Sequence, residues 1–127
     1  MLLATMGAVF GFTGIVLGAF AAWVLRDSLP PDHLATLEMA IRYQMYHALA
    51  LLAVTWLRER IGAAAIRAAG WCFVTGTFLF SGSRYVLLLT HDRWFTGLIP
   101  FGGFLLLAGW MLLFWGTLTT ARRERGE

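Results

Sequence analysis

The sequence has no lysine, a single cysteine and three prolines, and charged residues make up only 13% of its 127 positions. About a quarter of the residues of a soluble domain are charged, so this composition excludes an ordinary soluble domain. The lone Cys72 cannot form an internal disulfide, so cysteine use indicates no redox compartment. The formal net charge of +3 comes from arginine, and in an apolar chain a small positive excess bears on orientation rather than on nucleic-acid binding.

Apolar residues are abundant instead, at 59% of the chain, with a mean hydropathy of +0.70. A helix of about 20 apolar residues crosses the roughly 30 Å hydrocarbon layer of a bilayer, and the chain offers four stretches of that length. We therefore predict an all-α fold, a single-domain integral membrane four-helix bundle over residues 1–127. The predicted spans are residues 2–25, 34–57, 68–90 and 97–121.

The first span could also be a secretory signal peptide, because Ala19-Phe20-Ala21 offers a small-x-small cleavage pattern. A signal peptide begins with a positively charged region and has a shorter apolar core than residues 2–25. Because this stretch lacks the charge and is too long, we interpret it as a membrane-spanning helix.

The arginines predict the orientation of the bundle. Connectors in the cytoplasm carry an excess of arginine and lysine. The connector between spans two and three carries Arg58, Arg60 and Arg67, and the C-terminal tail carries Arg122, Arg123 and Arg125. The other two connectors carry one arginine each, Arg26 and Arg93. This count predicts that both termini are cytoplasmic, in the cytoplasmic (inner) membrane, and it weakens a dual-topology transporter.

Polar side chains inside the spans form a candidate pocket. At a rise of 1.5 Å per residue, Arg42 and Arg84 fall about 6 to 8 Å below the outer boundary, and Glu38 lies about one turn further out. Ser81 shares a face of the third helix with Arg84, and the positive ends of helices two and four point to the same side. We predict an outward-facing polar pocket that handles a small solute, ion or lipid. The alternative is a structural clasp in which Glu38 pairs with one arginine and the other reaches the interface.

His47 is the remaining member of the candidate pocket, and it stands one turn after Tyr43. Such a histidine is usually a hydrogen-bonded core residue, although a ligand, haem or proton-relay role stays open. The three histidines have no metal-ligand spacing, so we predict no cofactor and no metal. Ser81 and Ser83 lack the Gly-x-Ser-x-Gly elbow of a serine hydrolase, and we predict no enzymatic activity and no catalytic residues.

Glycines recur at helical spacing in the first and last spans. Small residues spaced by four or seven let helices in a membrane approach closely. The predicted packing positions are Gly7, Gly11, Gly14, Gly18, Gly82, Gly102, Gly103, Gly109 and Gly116. They support a second function, a non-transporting structural or assembly factor that acts through helix packing. The predicted partners are the lipid bilayer and either a second copy or another membrane protein, with no nucleic acid.

Several short motifs together resemble a known family. In chain order they are Gly18-Ala19-Phe20, Tyr43-x-x-x-His47-Ala48-Leu49, Phe80-Ser81-Gly82-Ser83 with Tyr85, Pro100-x-Gly102-Gly103, and Gly109-Trp110. The order resembles the YgdD/YwdK-like family, which is the domain of unknown function 423 and is similar to the transmembrane protein 256 group. The resemblance implies a small four-helix protein of the bacterial cytoplasmic membrane without an assigned activity.

The sequence departs from that family pattern at two positions. Trp23 stands where the family usually has a histidine, and Arg84 stands where it usually has an apolar residue. A function shared by the whole family therefore does not depend on Arg84. The resemblance carries over most directly to His47, Ser81, Gly82, Pro100, Gly102 and Gly103.

Overall fold

The computed structural model describes residues 1–126, and this part of the chain is helical without a strand. Four long helices confirm the predicted all-α fold. They are α1 (Leu2–Leu25), α2 (Pro31–Ile61), α3 (Ala64–Thr90) and α4 (Ile99–Glu124), and a short 3₁₀ segment, Arg93–Leu98, leads into α4.

The ends of the helices follow from local sequence. Pro31 opens α2, where its missing N–H costs nothing, and Pro100 occupies the first turn of α4 in the same way. Gly62 ends α2 in the left-handed conformation, with φ of 66°. His91 ends α3 with φ of 58°, a conformation that is uncommon for a residue with a side chain.

Two helices contain a π turn, in which the backbone hydrogen bonds span five residues instead of four. One ends α1 at Ala21–Leu25, and the other interrupts α3 at Phe78–Gly82. A π turn inserts an extra residue and so rotates the faces of a helix relative to each other. In α3 it falls within the Phe80–Tyr85 stretch, where the sequence places its polar residues.

The helices lie in chain order, with α2 and α3 in the middle. The first helix, α1, packs mainly on α2, and α4 packs mainly on α3, whereas α2 and α4 touch only slightly. The largest core cluster joins all four helices and contains Leu3, Phe10, Ala48, Ala50, Leu51, Val54, Ile66, Phe73, Val74 and Leu106. The slight contact between α2 and α4 leaves an opening above α3.

By length and apolar composition, α1, α3 and the segment Arg93–Glu124 can each cross a membrane. The second helix, α2, is long enough but more polar, because its ends carry charged residues such as Asp32, Arg58 and Arg60. Its middle is enclosed by neighbouring helices, and Ala40, Leu51 and Val54 are fully buried there. Contact with protein rather than lipid explains how a less apolar helix fits into the bundle.

The glycines of α1 and α4 lie at helix contacts within the chain. A Cβ atom added at Gly7 would come 2.9 Å from the carbonyl oxygen of Ala48 in α2, and Gly14 faces Met45 in the same helix. In α4, Gly109 lies against Phe73 and Gly116 against Ile66 of α3. Both stripes are therefore occupied by neighbouring helices of the same chain.

The remaining predicted glycine positions differ from one another. Gly11 and Gly18 make looser contacts with α2, and Gly103 leaves room for a Cβ atom at 3.8 Å from the Phe80 ring. Gly102 faces the backbone of Phe80 directly. Gly82 was expected at a close contact, but nothing lies within 4 Å of its Cβ position. The prediction assumed regular α-helical spacing, whereas Gly82 lies in the π turn Phe78–Gly82, which changes the direction in which it points.

Candidate functional site

The structure does not bring the five candidate pocket residues into one place. Glu38 and Arg42 are exposed and line a surface hollow between α2 and the end of α1, beside Gly18 and Ala22. They face α1, whereas Arg84 lies over Phe80 of α3, beside the opening between α2 and α4. The residues of the single pocket that was predicted from depth alone are thus divided between two sides of α2.

Ser81 lies between helices rather than at a surface. It is 1% exposed, and its hydroxyl donates a hydrogen bond to the carbonyl oxygen of Ala40 in α2 at 2.7 Å. Such a bond joins two membrane helices without a charge. In this arrangement, Ser81 holds α3 to α2 and presents no free hydroxyl to a pocket.

Arg84 folds back onto the preceding turn of α3. Its guanidinium carbon lies 3.9 Å from the centre of the Phe80 ring, a cation–π contact. Within residues 1–126, its Nη1 atom has no hydrogen-bond partner, so no described carboxylate, Glu38 included, satisfies that atom. This atom therefore does not take part in a clasp with Glu38.

His47 uses both of its ring nitrogens in hydrogen bonds. Its Nδ1 lies 2.7 Å from the carbonyl oxygen of Tyr43, which can only accept, so Nδ1 carries the proton. Its Nε2 accepts a hydrogen bond from the indole N–H of Trp110 at 3.2 Å. The ring is thus neutral and fully bonded. A haem or metal ligand role would require the Trp110 bond to break.

The sequence reasoning missed a polar network around Gln44. The side-chain amide of Gln44 donates to the carbonyl oxygen of Phe10 at 2.9 Å and to the Thr13 hydroxyl at 2.8 Å. Its carbonyl oxygen accepts from the Tyr85 hydroxyl at 2.7 Å. This one residue therefore joins α1, α2 and α3, and its only sequence signal is an uncharged amide inside an apolar span.

A groove of about 380 Å³ lies where α2 and α4 diverge above α3. Its walls are mostly carbon, and its principal residues are Tyr43, His47, Phe80, Pro100, Gly103 and Trp110. Phe104 and Leu107 complete the α4 side and are 69% and 62% exposed. The groove therefore opens sideways to the surface that would contact lipid, and we call it the α2–α4 groove.

Four separate motifs of the chain meet in the α2–α4 groove. Tyr43 and His47 come from α2, Phe80 from the π turn of α3, and Pro100 and Trp110 from α4. The Tyr43 and Phe80 rings are 4.7 Å apart, and the Phe73 and Trp110 rings beneath them are 5.1 Å apart. The motif residues that seemed scattered in sequence thus share one aromatic wall. The hydrogen bond between Trp110 and His47 was not foreseen from the sequence.

The groove has no arrangement suited to metal chemistry. Within the described part of the chain, no group of three or more histidine, cysteine, aspartate or glutamate residues is arranged to hold a metal ion. The groove contains His47, whose unprotonated Nε2 could bind a metal, but this atom accepts the hydrogen bond from Trp110. The arrangement can offer apolar and aromatic contact to a bound molecule.

Comparison with known proteins agrees with this architecture. The profile of the family described as "Protein of unknown function (DUF423)" matches residues 17–103. The chain is similar to the UPF0382 membrane protein YwdK of Bacillus subtilis, with 33% identity over 85% of this chain and 89% of the relative. It is 34% identical to the UPF0382 inner membrane protein YgdD of Escherichia coli K12, over 91% of this chain and 88% of the relative.

A UPF0382 membrane protein of Staphylococcus epidermidis is 38% identical over 91% of this chain and 94% of the relative. No solved structure matches the chain. The relatives are named as membrane proteins, one of them of the inner membrane, and three of the helices have the length and composition of membrane spans. The chain is therefore a multi-pass membrane protein of the cell membrane.

Proposed function

This chain belongs to the DUF423 family of membrane proteins of unknown function, and we propose that it is a non-enzymatic protein that binds a lipid acyl chain in the α2–α4 groove. The observation that carries the proposal is the groove itself, an apolar cleft of about 380 Å³ that opens to the lipid-facing surface. Sites for small apolar ligands typically have volumes in this range and a largely hydrophobic lining.

The length of the groove fits a hydrocarbon chain. It extends along α4 from Pro100 to Trp110, a distance of about 15 Å at the rise of an α-helix. The hydrocarbon layer is roughly 30 Å thick, so this distance is about the depth of one leaflet. By the arginine count, Pro100 lies near the outward end of the bundle. A chain from an outer-leaflet lipid would therefore lie beside the aromatic wall.

The lining favours a lipid over a small solute or an ion. An ion or polar solute needs free hydrogen-bonding groups to replace its water. In the groove, the ring nitrogens of His47 and the indole N–H of Trp110 bond to the protein instead. Ser81, which the solute hypothesis included, bonds to Ala40 away from the groove. Apart from the Tyr43 hydroxyl, the remaining lining is mostly carbon, which suits a hydrocarbon chain.

The assembly factor is the weaker alternative. It rested on the glycine stripes, and those of α1 and α4 lie against α2 and α3 of the same chain. A non-enzymatic role is supported in a similar way, because the Ser81 hydroxyl and the His47 ring are bonded to other groups and do not face each other across a site.

Filling the groove tests this proposal. Gly103 lines the groove, and the nearest atom to its Cβ position is 3.8 Å away, so a larger side chain can enter there without a backbone clash. We expect Gly103→Leu to lower severalfold the fraction of protein that retains phospholipid after purification in a mild detergent, measured by native mass spectrometry. Ala8→Leu is the matched control, because Ala8 is exposed on α1 and lies outside the groove. Equal retention by the two variants would contradict the proposal.

A further inference from the structure

A second hollow, of about 370 Å³, lies at the outward ends of α2 and α3 beside the 3₁₀ segment. Its polar lining is His33, Thr36, His91, Arg93 and Thr96. The His33 and His91 rings are 6.0 Å apart, and Arg93 adds a permanent positive charge. The neighbouring carboxylate of Asp92 accepts a hydrogen bond from the backbone N–H of Trp94, so it is used by the turn. We call this hollow the outer hollow.

The outer hollow and the α2–α4 groove lie on the same faces of the same helices. Residues three, four or seven apart share one face of a helix. On α2, Thr36 in the hollow is seven residues before Tyr43 in the groove. On α3, the Arg84 side chain contacts Phe80 of the groove directly, and Leu88 of the hollow follows Arg84 by four residues in a regular α-helix. The hollow is therefore the outward continuation of the groove.

Arg84 lies between these two regions. Its side chain contacts Phe80, and it is four residues before Leu88 on one face of the regular α-helix Ser83–Thr90. Its guanidinium covers the Phe80 ring, and its Nη1 atom has no hydrogen-bond partner within the described residues. A charge at membrane depth is costly unless a partner compensates it. An anionic group of a bound molecule would supply this compensation.

We propose that Arg84 and the outer hollow bind the phosphodiester of an anionic phospholipid whose acyl chain occupies the α2–α4 groove. This inference rests on the proposed function and adds the lipid class to it. A phospholipid has the matching sequence of groups, with a headgroup for the polar hollow, a phosphate for the guanidinium and a hydrocarbon chain for the groove. The guanidinium is suited to phosphate because its N–H groups can donate two parallel hydrogen bonds.

The positive lining should select lipids by net charge. Arg84 and Arg93 compensate a net negative headgroup such as phosphatidylglycerol, whereas phosphatidylcholine brings its own cation into the hollow. A basic side chain near a membrane surface contributes about 1 kcal/mol toward an anionic lipid, which is about fivefold in binding. We therefore expect a preference of about five- to 25-fold for phosphatidylglycerol over phosphatidylcholine with the same acyl chains, the upper value applying if both arginines contribute fully.

Native mass spectrometry of the full chain in micelles with equal amounts of the two lipids measures this preference. Arg84→Gln and Arg93→Gln should each lower the ratio of bound phosphatidylglycerol to phosphatidylcholine, and the double variant should bring it close to one. Arg123→Gln, at the opposite end of α4, is the control and should leave the ratio unchanged. Inorganic phosphate added alone should not displace phosphatidylglycerol.

Three outcomes would overturn the inference. Equal binding of both lipids by the unmodified protein, with both lost in Gly103→Leu, removes the headgroup selection and leaves the acyl-chain proposal intact. Displacement of phosphatidylglycerol by inorganic phosphate would identify a site for free anions rather than for a lipid. Retention of neither lipid would remove the inference together with the proposed function.

Discussion

The guanidinium carbon of Arg84 lies 3.9 Å from the centre of the Phe80 ring, and Phe80 is part of the wall of the α2–α4 groove. The Phe80 side chain thus contacts the positive charge of Arg84 and also lines the apolar groove. A cation–π contact at a partly desolvated site contributes about 1 to 2 kcal/mol. That contribution is smaller than the cost of roughly 2.5 to 3.5 kcal/mol for an arginine at the centre of a membrane helix.

The first prediction concerns the cost of that unpaired charge. Arg84→Leu should raise, or leave unchanged, the thermal stability of the protein in a neutral detergent, by about 0 to 2 kcal/mol, because it removes a charge without a described partner. Melting in detergent, followed by circular dichroism, measures the change. Arg123→Leu, which is exposed in the last turn of α4, is the control and should have little effect. A marked loss of stability in Arg84→Leu would mean that Arg84 is a structural clasp.

The second prediction concerns the contact between α3 and α4. Gly102→Ala should destabilise the protein by about 1 to 3 kcal/mol, because its new methyl group would meet the backbone of Phe80, which cannot move aside as a side chain could. Gly103→Ala is the neighbouring control and should cost less, since its Cβ atom meets the Phe80 ring at 3.8 Å. Thermal melting of both variants decides the matter, and equal stability of the two would show that α4 does not approach α3 at Gly102.

The third prediction concerns the polar network that joins three helices. The hydrogen bond of 2.7 Å from Tyr85 to Gln44 should show a coupling free energy of about 0.5 to 2 kcal/mol, the range found for hydrogen bonds between membrane helices. A double-mutant cycle with Gln44→Leu and Tyr85→Phe measures it. The two single variants should each lose stability, and the double variant should lose less than their sum. Strict additivity would mean that the two side chains do not interact.

The fourth prediction concerns orientation. The arginine count puts the α1–α2 connector outside and the α2–α3 connector in the cytoplasm. In a Cys72→Ala background, a cysteine at Ser28 should react with a membrane-impermeant maleimide in intact cells, and a cysteine at Ala64 should react only after the membrane is opened. Both positions are exposed, so accessibility within the protein does not limit the reaction. The reverse pattern of labelling would refute the orientation and would move the outer hollow to the cytoplasmic face.

Much of the fold can be read from the sequence because long apolar runs have few alternatives in a membrane. The runs at residues 2–25 and 97–121 coincide with α1 and with most of α4. The second helix extends further than expected at both ends, from Pro31 to Ile61, and α3 begins at Ala64 rather than residue 68. These added turns are polar or rich in alanine, so hydropathy does not detect them, whereas helical hydrogen bonding continues through them.

The site was harder to predict, because depth and helical angle do not identify which neighbour a side chain meets. Arg42 and Arg84 have similar expected depths, but Arg42 faces α1 and Arg84 folds onto Phe80 of its own helix. The π turn at Phe78–Gly82 changes the angles along α3, and nothing in the sequence marks it. The motifs that carried the family resemblance were the better guide, since Tyr43, Phe80 and Trp110 meet in one groove.

The central claim, that the α2–α4 groove holds an acyl chain, is tested most directly by crosslinking. A phospholipid with a photoreactive diazirine in the middle of its acyl chain is mixed into liposomes that contain the purified protein, and the adducts are mapped by mass spectrometry. Phe104 and Leu107 in the groove are compared with Phe12 and Ile15, which are 71% and 64% exposed on α1. We expect adducts concentrated on the groove residues and reduced there in Gly103→Leu. Equal labelling of both helices, unchanged in Gly103→Leu, would contradict the account.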